Sequence, residues 1–134
     1  MKKSVAIGTC AALLIVVVVL LWHHEKSSAD ALIRQRLTGK WIMDGQGIKG
    51  TATFRSDGSY GVNEVFDTGT NELPVKYEGK WQVIDGYITF SPTQAVSGGF
   101  RADAFARVKV VHIDDQELAY TMADGTIVTR KKSK

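Results

Sequence analysis

Histidines, the cysteine and clustered carboxylates are the residues that could do chemistry in this chain. Its 134 residues include three His and one Cys. His23 and His24 follow an apolar stretch and His112 stands near the end of a predicted strand, so none has companion ligands at metal-binding spacing. No Gly-x-Ser-x-Gly motif accompanies His112. The sequence therefore predicts neither an enzyme nor a protein with a metal or other cofactor.

The acidic residues are interpreted as turn residues. Asp114, Asp115 and Glu117 cluster, but without the ligand spacing of a calcium loop. Their neighbour His112 has two interpretations. It could titrate near neutral pH under the influence of these carboxylates, or it is a solvent-facing histidine at the end of a strand. The second is favoured.

The charge distribution argues against a nucleic-acid ligand. Residues 31–129 hold ten Lys and Arg against twelve Asp and Glu, so the net charge of +3 comes from the two ends of the chain. A nucleic-acid-binding domain spreads basic residues over a folded face. The basic segment 130–134 is read as a solubilising tail or as a contact to anionic lipid.

An apolar segment occupies the N-terminus. Residues 5–22 carry no charge, follow Lys2 and Lys3, and end with Trp22. At about 1.5 Å per residue they would extend roughly 27 Å, close to the hydrocarbon thickness of a bilayer. We expect an uncleaved transmembrane anchor (5–22) after a short cytoplasmic N-terminus (1–4).

Two alternatives to the anchor stay open. Ser27-Ser28-Ala29 offers a cleavage site for a signal peptide, although the apolar run is long for one. Cys10 offers a loose match to a lipoprotein signal. If residues 5–22 are an anchor, the positive charges of Lys2 and Lys3 place the N-terminus in the cytoplasm, because positive residues flank a membrane helix on its cytoplasmic side. Residues 23–134 then lie in the periplasm or outside the cell.

The remainder of the chain reads as one all-β domain, 31–134, behind a linker at 23–30. A short helix is expected from Ser28 to Leu37, capped by Asp30. Two Gly-Lys-Trp copies, and Asp-Gly pairs that suit tight hairpins, then predict antiparallel strands. These are expected at about 40–44, 50–55, 59–66, 75–84, 87–91, 102–113, 117–122 and 126–131. An antiparallel up-and-down meander of about eight strands most simply closes into a small barrel.

The order of these motifs resembles a known family. Gly39-x-Trp41 after a short helix, followed by the segments 54–60 and 77–83 and the hairpin 124–126, is similar to small bacterial lipocalin-like, or calycin-type, domains. The resemblance covers essentially all of 31–134. It implies that Gly39, Trp41 and Arg130 close the barrel, with Trp41 packed across its bottom and Arg130 covering the tryptophan.

Two sets of residues could contact other molecules. Inward aromatic side chains either line a pocket for an apolar ligand or simply fill the core; they are Trp41, Tyr60, Tyr77, Trp81 and Phe90. The loops 68–74 and 91–100 are either plain connections or carriers of binding residues. Apolar residues on or beside them are candidate partner contacts, namely Phe66, Val96 and Phe100.

Two functions follow as expectations. In the favoured one, the protein is a membrane-anchored interaction module, an accessory subunit that docks onto another membrane or envelope protein. The small residues of the anchor would allow close packing against a partner's helices. The alternative, implied by the lipocalin resemblance, is a binder of a small apolar ligand such as a lipid or fatty acid near the membrane.

Overall fold

A computed structural model describes the backbone of residues 3–93 and 107–134, and the side chains of 13–93 and 107–134. One helix precedes eight strands. Their bounds are α1 (Lys3–Leu37), β1 (Gly39–Gly45), β2 (Ile48–Phe54), β3 (Ser59–Asp67), β4 (Glu72–Ile84), β5 (Tyr87–Pro92), β6 (Arg107–Ile113), β7 (Glu117–Thr121) and β8 (Ile127–Lys132).

The strands form a closed antiparallel barrel in chain order, with β8 paired to β1. This confirms the predicted all-β meander of about eight strands. The alternation of buried and exposed residues is clearest on β4, where Trp81 and Val83 are buried while Lys80 and Gln82 are exposed. The part of the predicted sixth strand at 102–106 lies outside the described residues.

The turns alternate between the two ends of the barrel, as a meander requires. The β2–β3, β4–β5 and β6–β7 turns lie at one end, which we call the helix end because α1 contacts it. The β1–β2, β3–β4 and β7–β8 turns lie at the other, the far end. At the β4–β5 turn, Asp85 and Gly86 both have positive φ, 53° and 77°, which two-residue hairpins favour.

The N-terminal region differs from the prediction. The sequence predicts a linker at 23–30 and a separate short helix after the apolar segment, whereas α1 runs without interruption from Lys3 to Leu37. The physical reason is that no Gly or Pro occurs between Gly8 and Gly39, so nothing breaks the helix. Asp30 therefore lies inside the helix and is not its N-cap.

In the part of the chain that the structure describes, no helix is both long enough and apolar enough to cross a membrane. The side chains of residues 5–12, the first part of the predicted anchor, lie outside the described set.

Candidate functional site at the helix end of the barrel

One side of the helix end is tied to α1 through the β4–β5 turn. The Asp30 carboxylate accepts hydrogen bonds from the backbone N–H groups of Asp85 and Gly86, both at 2.8 Å. One turn earlier in the helix, Lys26 Nζ lies 3.4 Å from Asp85 Oδ1. Asp30 thus binds the two amides of a tight turn, which explains the position of an acidic residue within the helix.

The opposite side of the helix end holds the last turn of α1. Leu37 is fully buried, and its carbonyl oxygen accepts a hydrogen bond from Trp41 Nε1 at 2.7 Å. Lys132 Nζ donates to the Arg36 carbonyl at 2.8 Å, and Arg36 Nη1 donates to the Ile113 carbonyl at 3.0 Å. The Trp41 and Lys132 donors satisfy carbonyl groups that the end of a helix leaves without partners, and Arg36 binds the same turn of the helix to the end of β6.

These two sets of contacts mean that α1 crosses the helix end. In an eight-stranded barrel the β4–β5 turn lies half-way round from the β8–β1 pair. The helix contacts both, and residues 26–37 extend about 16 Å at roughly 1.5 Å per residue, a distance on the scale of a small barrel. Because Ile33 and Leu37 pack on the core from this segment, the helix covers the end of the barrel.

Gly39 allows the chain to turn from the helix into β1. Its φ of +133° is one that residues with a side chain rarely adopt. A Cβ at this position would also lie 2.8 Å from Lys132 Cε, because Lys132 crosses here to reach Arg36. Gly39 therefore lets Lys132 pass close to the backbone at the junction between helix and barrel.

The cation beside Trp41 is Lys132, where the resemblance implied Arg130. Trp41 and Lys132 are register partners on β1 and β8, and Lys132 Nζ lies 5.2 Å from the centroid of the indole. Arg130 projects to the same face of β8 but two residues deeper, and is therefore inside the barrel. Neither residue belongs to a solvated tail, since Arg130 is buried and Lys132 bonds to the helix.

Arg130 belongs to a polar cluster in the middle of the barrel. Its Nη1 donates to Glu64 Oε1 and its Nε donates to Tyr120 Oη at 3.0 Å, and the Glu64 side chain is 2% exposed. Burial alone would lower the pKa of Arg130, but the neighbouring Tyr120 and Glu64 raise it above its ordinary value. The guanidinium therefore remains charged, paired with a buried carboxylate.

The buried carboxylate of Glu64 is not among the predicted site residues, although the sequence contains a signal for it. Tyr60, Val62 and Glu64 alternate along β3, and the first two are apolar core positions. An acidic residue on the inward face of a strand needs a buried cation as its partner. Arg130 faces inward on β8 and supplies that cation. The same alternation could therefore have identified the pair.

Tyrosines surround this cluster. Burial raises the pKa of Tyr60 to about 12. Burial also raises the pKa of Tyr120, and burial together with the Glu64 charge raises that of Tyr77. Among the described residues, the Tyr60 hydroxyl is buried without a hydrogen-bond partner. All three side chains are consequently neutral at physiological pH.

The five aromatic residues proposed as a ligand lining do not form one surface. Tyr60, Tyr77 and Phe90 meet inside the barrel, with centroid distances from Tyr60 of 5.9 and 5.1 Å. Trp81 lies closer to the helix end, where its Nε1 donates to Ser59 O at 2.9 Å. Trp41 closes that end under the helix.

The interior leaves little free space between these side chains. A cavity of about 30 Å³ lies among Tyr77, Phe90, Tyr120 and Arg130. Such a volume holds about one water molecule, whereas pockets for small ligands measure about 300–1,000 Å³. Within the described residues, the aromatic side chains inside the barrel therefore act mainly as core.

The predicted partner contacts are only partly described. Phe66 is half-buried near the far end of β3, in register between Ile48 on β2 and Leu73 on β4. Val96 and Phe100, with most of the loop 91–100, lie outside the described residues.

The acidic β6–β7 turn is stabilised by hydrogen bonds between the Asp114 carboxylate and backbone amides of the same turn. Asp114 Oδ1 accepts from the N–H groups of Gln116 and Glu117 at 2.8 and 2.7 Å, and Asp114 Oδ2 lies 3.0 Å from His112 Nε2. The two amides, followed by His112, lower the pKa of Asp114 to about 2. No group of three metal-binding side chains occurs in the described part of the chain.

The site is therefore an attachment between a helix and a filled barrel. Its chemistry consists of hydrogen bonds, ion pairs and packing, and its geometry fixes the orientation of the barrel on α1. The resemblance to lipocalins is supported at the level of the closed eight-stranded barrel. Neither a protein-family description nor a curated protein sequence matches this chain.

Proposed function

We propose that the protein is a membrane-anchored interaction module, an accessory subunit whose barrel docks onto another membrane or envelope protein. The anchor is the apolar part of α1 at 5–22. The N-terminus then lies in the cytoplasm, and the barrel lies in the periplasm or outside the cell, in accordance with the positive charges of Lys2 and Lys3.

The observation that carries the proposal is the uncovered apolar surface of α1. All ten side chains from Leu13 to Trp22 are large and apolar, and each is between 49% and 66% exposed. They surround the helix on all sides, and the barrel covers none of them. Since burying apolar surface stabilises by about 25 cal/mol per Å², such a helix requires a covering environment, and lipid supplies one.

The attachment at the helix end supports the role of a subunit. The hydrogen bonds from Asp30, Arg36 and Lys132 fix the barrel to the same helix that carries the apolar segment. A barrel fixed in this way presents its walls and far end at a defined height and orientation. That arrangement suits binding to a second protein held in the same membrane.

The filled interior favours this function over the alternative. A lipocalin-like carrier of a lipid or fatty acid would need a pocket of several hundred Å³, and the described interior cavity measures about 30 Å³. The resemblance to lipocalins then concerns the scaffold, since one fold supports many functions.

The test is native mass spectrometry of the full-length protein, extracted in mild detergent from the membranes of cells that make it at natural abundance. A stoichiometric complex with another protein is expected. A single chain carrying an adduct of lipid mass would support the carrier instead. A bare monomer would contradict both functions.

A pair of matched variants tests the anchor separately in the same cells. Val18→Arg places a charge in the apolar segment, which makes insertion less favourable, and should release the protein from carbonate-washed membranes. Ile127→Arg is the matched variant, because Ile127 is similarly exposed but lies on the barrel. Equal retention of both variants would contradict the anchor.

A further inference from the structure

The outer wall of the barrel carries a mixed apolar and basic surface at the helix end. Ile84, Tyr87 and Lys109 are register neighbours across β4, β5 and β6. Ile88 and Val108, the next residues on β5 and β6, are buried, so this row points outward. Val111 continues the outward face of β6 towards the same end. We call Ile84, Tyr87, Arg107, Lys109 and Val111 the rim patch.

The apolar members of the rim patch are open to solvent. Ile84 is 48% exposed and Val111 is 56% exposed. The Arg107 guanidinium stacks on the Tyr87 ring at 4.0 Å. The patch thus combines two exposed aliphatic side chains, a tyrosine and two cations, the combination that suits the interface between water and bilayer.

A series of contacts leads from the apolar part of α1 to this patch. Lys26 Nζ lies 4.1 Å from the centroid of the Trp22 indole, which ends the apolar segment. The same Nζ lies 3.4 Å from the Asp85 carboxylate, and Asp85 follows Ile84 in the chain. Lys26 and Asp85 therefore link Trp22 to the start of the rim patch. Tryptophan prefers the headgroup region of a bilayer.

The direction of α1 agrees with this proximity. The helix crosses the helix end from the β8–β1 side to the β4–β5 side and leaves the barrel beside the β4–β5 turn. Its apolar segment therefore departs next to the wall that carries the rim patch. The wall formed by β1, β2 and β8 is on the opposite side.

The charges around the patch suit a lipid surface. Lys26, Arg107 and Lys109 are cationic, and each Lys or Arg near an anionic surface contributes about 1 kcal/mol. Asp85 and Asp30 are the acidic residues at the adjoining β4–β5 turn: Lys26 pairs with Asp85, and the Asp30 carboxylate binds the amides of Asp85 and Gly86. The acidic turn 114–117 follows Val111 and limits the patch on that side.

We propose that the rim patch lies on the bilayer surface, so that the barrel touches the membrane at a second place beside α1. This inference rests on the proposed membrane anchor. Because the barrel is fixed on α1, a second contact fixes the rotation of helix and barrel together about the helix axis relative to the membrane, which the anchor alone does not. The wall of β1, β2 and β8 and the far end then remain free for a protein partner.

The test uses the full chain in vesicles of phosphatidylcholine and phosphatidylglycerol. Single cysteines are introduced in a Cys10→Ser background and labelled with an environment-sensitive dye: Val18→Cys in the anchor, Ile84→Cys in the patch and Ile127→Cys as the matched control. Ile84 and Ile127 are exposed to similar extents, 48% and 53%, but only Ile84 is in the patch.

Quenching by lipid-borne spin labels, with a blue shift of the dye, is expected at positions 18 and 84 and not at 127. Quenching at 18 alone would overturn the second contact and leave the anchor intact. Absence of quenching at 18 would overturn the anchor and the patch together. Far-UV circular dichroism of each labelled protein verifies that it is folded.

A second measurement needs no variant. Acetylation of Lys109 by a water-soluble reagent should slow when the wild-type protein moves from detergent into vesicles. Lys49, an exposed residue on β2, should react at the same rate in both. Equal rates for Lys109 in both environments would contradict the proposal.

Discussion

The centre of the barrel and its helix end use cations from the same strand in different ways. At the centre, Arg130 pairs with the buried carboxylate of Glu64 and with the Tyr120 hydroxyl. At the helix end, Lys132 bonds to a backbone carbonyl of α1 and lies beside Trp41. Two positions on one face of β8 thus serve two purposes. Arg130 contributes to the stability of the barrel, and Lys132 contributes to its attachment to the helix.

The difference is one of dielectric environment. A charge buried at the centre is expensive unless it is paired, so removal of one partner leaves a large penalty. Apart from the buried bond between Trp41 and Leu37, the bonds at the helix end are partly solvated, and several act in parallel, so each contributes less. We therefore expect substitutions at the centre to unfold the barrel, and substitutions at the helix end to loosen α1 while the barrel stays folded.

The largest effect is expected for Arg130→Met. It leaves Glu64 buried without its cation and should lower the free energy of unfolding by about 3–5 kcal/mol. Urea denaturation followed by far-UV circular dichroism measures this. In Arg130→Met combined with Glu64→Leu, most of the stability should return, since neither charge then remains. If the free energy of unfolding of the single variant fell by less than about 1 kcal/mol, the pair would contribute no more than an exposed surface ion pair does, which would contradict the prediction.

The two Gly-Lys-Trp copies provide the next comparison. Trp41→Phe removes the hydrogen bond to the Leu37 carbonyl, and Trp81→Phe removes those to Arg55 and Ser59. Trp41→Phe should cost roughly 1–3 kcal/mol, because the buried Leu37 carbonyl loses its donor. Trp81→Phe should cost less, about 0.5–1.5 kcal/mol, because the Arg55 and Ser59 carbonyls keep backbone donors. Hydrogen exchange should quicken in residues 30–37 for Trp41→Phe alone. Faster exchange of that segment in both variants would contradict separate roles for the two copies.

Asp30→Ala should have a smaller effect, about 1 kcal/mol, because side-chain bonds to exposed backbone amides are of this size. The amides of Asp85 and Gly86 should then exchange faster, as two-dimensional NMR can detect. The control is Asp57→Ala, which removes a similar bond to the Ser59 N–H within one turn. Only Asp30→Ala should also change the dynamics of α1.

The smallest effect is expected from acid at the β6–β7 turn. Two backbone amides and His112 lower the pKa of Asp114 from its ordinary 3.8 to about 2. A carboxyl whose pKa is lowered on folding stabilises the protein above the higher value, and this contribution is lost as pH falls through the lower one. NMR titration should give a midpoint near 2. A midpoint at or above 3.8 would contradict the hydrogen bonds.

The barrel could be predicted from the sequence because its signals are local. Alternation on β4 and the Asp-Gly turns identified the strands and their antiparallel order without any information on distant contacts. These features depend on neighbouring residues.

The relation between α1 and the barrel could not be predicted in the same way. The sequence pattern predicts that Asp30 is a helix cap, since an acidic residue before an apolar face is typical of one. Its actual partners, the amides at 85 and 86, are distant in sequence and are unremarkable as residue types. Likewise, Arg130 and Lys132 lie on the same face of β8, and only the register with β1 assigns Lys132 to Trp41.

The uninterrupted helix has a mechanical consequence. Its 35 residues contain no break and its last turns are bound to the barrel on two opposite sides. A rod joined to a body at two points transmits rotation as well as translation. Any tilt of α1 is therefore also a tilt of the barrel, and the far end, as the part most distant from the junction, moves through the longest arc.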